Sequence, residues 1–310
     1  RWKWGLDRAL SSSSEMLAKK DRSGEPTVYI KARMNDKGVL PLTVWDDKQY
    51  SSTEYGANLL KKIFHATYFD YPKSLYAVID SLKIGNLDKD SIVLDFFSGS
   101  ATTAHAVMQL NAEDGGKRKY ICVQLPEETP EGSEARKAGY ATIPEIAKER
   151  IRRAGRKIKE ESPLTTQDLD TGFRVFRIDS GNYKNVTMQP NEYDQQMLDL
   201  FVDNIKADRT DLDLLFGAMF AWGVQLSLPM TTEEVDGCKI YAVDGNGLVA
   251  CFAENISENV VQAMAAKQPL RVLFRDSCFD EDKTKINIFE RFKQQLDWDE
   301  KEAIQNIRVV

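Results

Sequence analysis

Residues 92–105 have the sequence IVLDFFSGSATTAH, in which an apolar run meets an acidic residue and then several small residues. The run Ile92–Phe97 is bounded by turn signals and predicts a strand buried on both faces of a parallel sheet. The pattern of Thr102–Leu110 predicts a helix. A strand, a turn and a helix in this order are typical of an open α/β sheet, where ligands bind outside the carboxyl ends of the strands.

The turn after this strand is a candidate ligand site. Small side chains let the backbone approach a ligand closely, and the N-terminus of a helix favours an anion. Asp95 at the strand end can pair with a cationic group. A cofactor with an amino group and a carboxylate, such as an amino acid or its adenosyl derivative, suits both Asp95 and the helix N-terminus. The phosphate-binding motifs G-x-x-x-x-G-K-[ST] and G-x-G-x-x-G are absent. The alternative is a plain strand-to-helix turn capped by Asp95, and the spacing leaves both interpretations open.

The chain divides into three predicted stretches. Residues 1–55 lead into an α/β core at residues 56–160, polar residues 160–170 form a linker, and residues 170–310 form a separate domain. The predicted helices are Asn58–Ala66, Leu75–Ile84, Pro144–Ile158, Asp211–Trp222 and Ser257–Ala266. The other predicted strands are Thr27–Lys31, Leu42–Trp45, Tyr120–Leu125, Phe173–Ile178, Lys239–Val243, Gly247–Phe252 and Leu270–Phe274.

Composition excludes several classes of protein. The chain has 310 residues, 42% of them hydrophobic, and a net charge of −6, which excludes a protein that is basic throughout. Four scattered cysteines and two histidines argue against a zinc site and for reduced thiols in a cytoplasm. No apolar run approaches the roughly 20 residues that span a bilayer, so we expect no membrane contact. Because the sequence opens at Arg1 without a methionine or a leader, we expect a cytoplasmic fragment.

The turn and its surroundings also resemble a known family. Asp95–Ser100 followed by Thr102–His105 closely resembles the cofactor motif of the DNA adenine methyltransferases that use S-adenosylmethionine. Other segments, in a fixed order, are similar to the modification subunits of type III restriction-modification systems. These segments are Thr43–Asp47, Tyr50–Gly56, Phe69–Lys73, Arg118–Glu127, Ile143–Ala147, Phe173–Phe176, Asp208–Thr210 and Pro269–Asp276.

The resemblance implies a fold and a reaction. The fold is a partial Rossmann-like methyltransferase domain followed by a smaller α/β (α+β) C-terminal domain. The reaction is transfer of a methyl group from S-adenosylmethionine to the exocyclic amine of a flipped-out adenine at a specific DNA site. The implied partners are DNA, a restriction subunit and a second copy in a homodimer. A methyltransferase for another substrate is a further interpretation.

The resemblance also assigns cofactor-binding residues. The methionine end of the cofactor would be lined by Asp95, Phe96, Ser98, Gly99 and Ser100. Tyr71 and Lys73 belong to the preceding motif, which closes over the cofactor from the other side. Two positions depart from the pattern. Ala101 replaces a glycine, which is tolerable if the backbone there is helical. Gln124 stands where an acid often binds the ribose hydroxyls.

Two clusters of basic residues have a binding and a structural interpretation. Lys148–Lys159 contains seven basic residues and one acidic residue, and from this stretch Arg150, Arg152, Arg153 and Arg156 are candidates for contacts with DNA phosphates. The alternative is a solvated helix face. Trp2, Lys3, Trp4 and Arg8 admit the same two interpretations. His105 is expected to be a packing residue rather than a catalyst.

One expected motif is absent. Adenine methyltransferases hold the target amine with a motif of the Asp-Pro-Pro-Tyr type, yet no two of the ten prolines are adjacent. The chain therefore resembles the C-terminal part of a modification subunit, with no catalytic residue of its own and no activity when alone. The alternative is a non-catalytic assembly module that contacts a second modification subunit or the restriction subunit.

Overall fold

The computed structural model describes residues 4–31, 41–184, 205–279 and 282–310. Trp2 and Lys3 of the N-terminal cluster lie outside this part, whereas the Arg8 guanidinium lies 4.9 Å from the centre of the Trp4 ring. The chain forms two compact units, Arg1–Phe173 and Arg174–Val310. Each unit is a mixture of helices and strands, as an α/β class predicts.

The first part of unit 1 is a short helix and a hairpin. The elements are α1 (Leu6–Ser11), β1 (Met16–Lys20) and β2 (Pro26–Ile30). The two strands are antiparallel, and β2 nearly matches the prediction for this region. The predicted strand Leu42–Trp45 is wrong, because the Trp45 indole donates a hydrogen bond to the Leu42 carbonyl and closes a turn.

The α/β core of unit 1 follows. Its elements are α2 (Leu59–Phe64), α3 (Leu75–Ile84), β3 (Ile92–Asp95), α4 (Thr102–Asp114), β4 (Lys119–Cys122), α5 (Glu134–Lys137) and α6 (Ile143–Glu161). Strands β3 and β4 are parallel and in register. Helix α4 is central: α6 packs against it through Ala154 and Ile158, and α3 through Ile79. The predicted helices are confirmed here, and α3 matches to the residue.

Strands β3 and β4 differ from the prediction in burial and length. Strand β3 was expected to be buried on both faces, but its Ile92 and Leu94 are each at least half exposed, as is Ile121 of β4. In the described part of unit 1, helices cover only the face that carries Val93 and Tyr120. Strand β3 also ends at Asp95 rather than Phe97, since the chain turns there. The prediction of full burial is therefore wrong.

Unit 2 is built on a five-stranded sheet. Its helices are α7 (Asp211–Ala221), α8 (Glu258–Ala266), α9 (Asp282–Gln295) and α10 (Glu300–Asn306). Its strands are β5 (Met230–Val235), β6 (Cys238–Val243), β7 (Leu248–Cys251), β8 (Val272–Phe274) and β9 (Ile307–Val309). They lie in chain order in the sheet. Strands β5 to β7 are antiparallel, and β8 and β9 are parallel to their neighbours.

Both faces of this sheet are covered. Alternate residues of β6 and β7 pack against α8 and α9 on one face and against α7 on the other. Helix α7 begins with a capping box between Thr210 and Asp213. The predicted strands Lys239–Val243 and Gly247–Phe252 are confirmed as β6 and β7, which form an antiparallel hairpin. The predicted strand Phe173–Ile178 is wrong, because Arg174 instead donates hydrogen bonds to the carbonyls of Leu226 and Leu228.

Candidate functional site

Asp95 is fixed at the end of β3 by the turn that follows it. Its Oδ1 accepts a hydrogen bond from the Phe97 N–H at 3.2 Å, and its Oδ2 accepts one from the Thr103 hydroxyl at 2.5 Å. Thr103 lies in the first turn of α4, so this carboxylate joins the strand end to the helix start. The sequence singled out Asp95 but not Thr103, although the spacing of eight residues spans the whole strand–turn–helix unit.

Gly99 forms the tip of the turn and is held from two sides. Its backbone has a φ of +50°, which favours glycine. Its N–H donates a 2.7 Å hydrogen bond to Oε1 of Gln124, which follows β4. The Phe69 ring lies 3.3 Å from the place where a Cβ would stand. Gln124, predicted as a ribose contact, thus shapes the turn with its oxygen and leaves its amide nitrogen for other groups.

Ala101 enters α4 through a left-handed conformation, with φ of 60° and ψ of 46°. The condition under which a methyl group is easily tolerated here, a right-handed helical backbone, is therefore not met. Its methyl group is completely buried in the core between α4 and α6. A left-handed conformation costs a non-glycine residue roughly 1–2 kcal/mol. This cost explains why a glycine is the ordinary residue at such a position.

The segment before α3 meets the turn through Phe69. Tyr71 is 93% exposed and has a φ of 55°, and Lys73 is exposed as well. Pro72 between them is buried against Gly56, where any Cβ would overlap the Pro72 carbonyl oxygen. Gly56 was not predicted to matter for the site. It fixes the path of the segment that carries Tyr71 and Lys73.

The remaining predicted cofactor residues fall into two groups. Ser98 and Ser100 are buried under the turn, and Ser98 donates its N–H to the Val123 carbonyl, which extends the pairing beyond β3 and β4. Phe96 is 63% exposed, and its neighbour Phe97, which was not among the predicted cofactor residues, is 81% exposed. The structure therefore places the two aromatic rings toward solvent and the two hydroxyls toward the core.

Arg150 does not lie where a DNA contact requires. Its side chain is completely buried, with Nη1 donating to the Ser100 hydroxyl at 2.8 Å and to the Thr102 hydroxyl at 2.7 Å. The prediction that Arg150 contacts DNA phosphates is therefore wrong. Burial lowers the pKa of Arg150 to about 9, so the guanidinium is still charged at neutral pH.

His105 lies in the same interior. Its side chain is buried, which confirms that it is a packing residue. Burial, and to a smaller degree the charge of Arg150, lowers the pKa of His105 well below its usual value. The imidazole is therefore neutral at pH 7 and cannot compensate any charge nearby.

Glu149 forms ion pairs with the other three predicted DNA-binding arginines of α6. It pairs with Arg153 at 2.7 Å, with Arg152 at 3.5 Å and with Arg156 at 3.8 Å. Partial burial raises the pKa of Glu149, but hydrogen bonds from Arg153 and Arg152 outweigh this and hold the pKa below its usual value. Arg152 and Arg156 keep more than half of their side chains exposed. These two can reach a phosphate, while much of the charge of the helix is balanced locally.

The described residues contain neither a group of side chains that could hold a metal ion nor a helix long and apolar enough to cross a membrane. The candidate site is the turn after β3, with the carboxylate of Asp95 at its start, the exposed rings of Phe96 and Phe97 beside it, and the amide of Gln124 bound to its tip. Such a turn at the carboxyl end of a parallel strand is suited to an organic ligand with charged ends.

A comparison with protein families indicates the class of protein to which the matched residues are similar. The DNA methylase family matches residues 8–135, a range that contains the turn, Tyr71, Lys73 and Gln124. This range is therefore similar to DNA methylases.

The relatives then narrow the class. The chain is 40% identical over 158 residues to the StyLTI Mod subunit, part of a type III restriction-modification enzyme of Salmonella typhimurium. The aligned stretch covers 51% of the chain and 23% of that protein. It is 30% identical over 276 residues to the EcoPI Mod subunit of Escherichia phage P1, covering 86% of the chain and 40% of that protein. It is 34% identical over 152 residues to the type II methyltransferase M.KpnI of Klebsiella pneumoniae, covering 49% and 35%.

These similarities confirm the resemblance to type III modification methyltransferases. The chain spans less than half the length of each of these curated relatives. The matched family is described as DNA methylase, M.KpnI as a methyltransferase, and the two Mod subunits as parts of type III restriction-modification enzymes.

Proposed function

We propose that the chain binds S-adenosylmethionine at the Asp95–Ser100 turn and supplies the cofactor-binding part of a site-specific DNA adenine methyltransferase. The observation that carries the proposal is the turn itself, in which Gly99 and Ala101 both have left-handed backbones between a parallel strand and α4. This geometry brings the backbone close to whatever binds outside the strand ends.

The residues of the turn fit both ends of an amino acid. Asp95 uses two of the roughly four lone-pair sites of a carboxylate for Phe97 and Thr103, which leaves room for an ammonium group. The N-terminus of α4 favours the carboxylate. Tyr71 and Lys73 would cover the cofactor from the opposite side, and the Gln124 amide would donate to a ribose hydroxyl. When bound, S-adenosylmethionine supplies an activated methyl group.

A calorimetric titration with S-adenosylhomocysteine tests the site. We expect wild type to bind and Asp95→Ala to show no measurable heat, because the ammonium group loses its partner. Asp95→Asn keeps the shape of the side chain and should also bind at least about tenfold more weakly, since the charge is gone. Asp90→Ala, an exposed carboxylate just before β3, is the matched control. Equal affinity of wild type and both Asp95 variants would contradict the proposal.

We further propose that the acceptor amine is positioned by residues that this sequence does not contain, and that the chain corresponds to the C-terminal part of a modification subunit. No two prolines are adjacent in the 310 residues, so a motif of the Asp-Pro-Pro-Tyr type is absent. Leu94 and Ile121 are half exposed on the face of β3 and β4 that no described helix covers. This exposure supports the proposal that further elements of a Rossmann-like domain pack on that face. On this proposal the chain alone does not methylate DNA.

The proposed partners follow from the same class. The complete enzyme would be a cytoplasmic homodimer that acts on DNA. A restriction subunit is the expected partner, because two of the relatives are named as Mod subunits of type III restriction-modification enzymes. Arg152 and Arg156 are the basic residues of α6 that remain available for phosphates.

A second candidate role, assembly, concerns residues 170–310. Unit 2 holds none of the proposed site residues, and its sheet is closed on both faces by its own helices. We propose that this region contacts another subunit. Deleting it should leave binding of S-adenosylhomocysteine intact and abolish co-elution with a restriction subunit in gel filtration. Retained co-elution would contradict the assembly role.

A further inference from the structure

Arg150 is a buried cation without a counter-ion among the residues that the structure describes. Its side chain has no exposed surface, and neither an aspartate nor a glutamate in the described ranges pairs with it. Within those ranges, its Nε and Nη2 atoms also lack hydrogen-bond partners. In the described part of the chain, only Nη1 of Arg150 donates hydrogen bonds: to the Ser100 and Thr102 hydroxyls and, at 3.5 Å, to the Ser100 carbonyl. A charge in this position is costly unless an anion approaches it.

The guanidinium is aimed at the start of α4. Ser100 is the last residue of the turn before Ala101, and Thr102 is the first residue of a helix of 13 residues. The N-terminal end of such a helix carries a partial positive charge, so Arg150 adds a full charge to a place that already attracts anions. The neighbouring His105 is neutral and supplies no negative charge.

The packing of α6 alone does not explain an arginine at position 150. The other buried residues of α6 are Ile146, Ala147, Ile151, Ala154, Gly155 and Ile158, all of them apolar. Arg150 lies four residues from both Ile146 and Ala154, in the middle of this stripe. An aliphatic residue would pack at this position without the cost of burying a charge.

We propose that Arg150 is a positioning residue for the anionic end of the cofactor: it orients the Ser100 and Thr102 hydroxyls and places a buried positive charge behind the turn that receives a carboxylate. This inference rests on the proposed function. It predicts that the affinity contributed by the carboxylate-bearing part of the ligand depends on Arg150.

Two ligands separate this contribution from the rest of the binding energy. S-Adenosylhomocysteine carries the amino-acid end, whereas 5′-methylthioadenosine has the same adenosine and thioether but lacks it. Calorimetry should measure both affinities for wild type, Arg150→Met and Arg150→Lys. Lys159→Met, which removes one charge from the last turn of the same helix, is the control.

We expect Arg150→Met to weaken S-adenosylhomocysteine about tenfold and 5′-methylthioadenosine less than about twofold. Arg150→Lys, which keeps a charge, should lose less, and Lys159→Met should change neither affinity. Equal losses for the two ligands, or no loss, would overturn the inference.

The outcomes also separate this inference from the proposed function. If wild type binds neither ligand, the proposed function fails and the inference with it. If wild type prefers S-adenosylhomocysteine and Arg150→Met keeps that preference, only the inference fails. If Arg150→Met does not fold, Arg150→Lys decides, and failure of both to fold assigns Arg150 a structural role alone and overturns the inference.

Discussion

Single residues define the turn more sharply than the motif around them. Ala101 has a left-handed backbone with its methyl group buried, and Gly99 is left-handed between Gln124 and Phe69. A strained conformation persists only where its surroundings enforce it. Here the pairing of β3 with β4 and the packing of α4 on α6 enforce it, and the result is a backbone shaped for close approach.

Substitution of Ala101 tests this strain. We expect Ala101→Val to lower the free energy of unfolding by about 2–4 kcal/mol, because a branched side chain is both strained at positive φ and too large for the filled core. Ala101→Gly should stay within about 1 kcal/mol of wild type, since relief of strain offsets the lost methyl group. Urea unfolding measures both. A stable Ala101→Val variant would contradict the left-handed assignment.

Glu149 predicts a dependence of stability on pH. Its pKa in the folded chain is below the ordinary value of 4.5, so its stabilising effect is fully present above that value and is lost as pH falls through the folded pKa. We expect Glu149→Gln to cost about 1 kcal/mol at pH 7 and progressively less below about pH 4.5. Thermal unfolding across pH 3–7 checks this. A loss that is constant with pH would contradict the ion pairs with Arg152 and Arg153.

At the scale of elements, sequence reasoning located helices well and burial poorly. The polar and apolar pattern of α3 and the capping box of α7 are local, so both helices were predictable. The pattern of β3 shows that it is apolar but not what covers it, and its exposed face was therefore missed. Strand β9 has three residues, too few to show alternation.

The wrong prediction of a DNA contact for Arg150 also has its explanation at the scale of the helix. The charge of the basic stretch suggested one solvated or DNA-facing surface, but a helix repeats every 3.6 residues and its charges point in several directions. The spacing of four residues to Ile146 and to Ala154 placed Arg150 on the buried stripe. That periodicity was the available signal, and the identity of its partners, Ser100 and Thr102, depends on tertiary packing alone.

The exposed face of β3 and β4 predicts self-association of the chain. Leu94 and Ile121 are opposite one another in the parallel register and are both half exposed, so they form an apolar patch beside exposed strand edges. We expect sedimentation to show concentration-dependent association, and Leu94→Thr with Ile121→Thr to reduce it without lowering the melting temperature. Val93→Thr, on the covered face, should instead destabilise the fold. Unchanged association of the double variant would contradict a role for this face.

At the scale of the whole molecule, the described residues of the first unit leave one face of its sheet uncovered, whereas the sheet of the second unit is covered on both faces. The proposed cofactor site lies entirely in the first. Methyl transfer needs the acceptor amine in line with the methyl group, and such positioning accounts for several kcal/mol of the barrier reduction. On the proposed function, the residues of the turn would bind and orient one reactant only.

The most direct test of this division is a methyl-transfer assay with tritiated S-adenosylmethionine and mixed-sequence DNA. We expect background incorporation for the 310-residue chain alone. A segment that carries the Asp-Pro-Pro-Tyr motif and the remaining strands, joined covalently or added in trans, should restore methylation of adenine, and Asp95→Ala should abolish it again. Robust transfer by the chain alone would contradict the central claim, because it would require an acceptor site within Arg1–Val310.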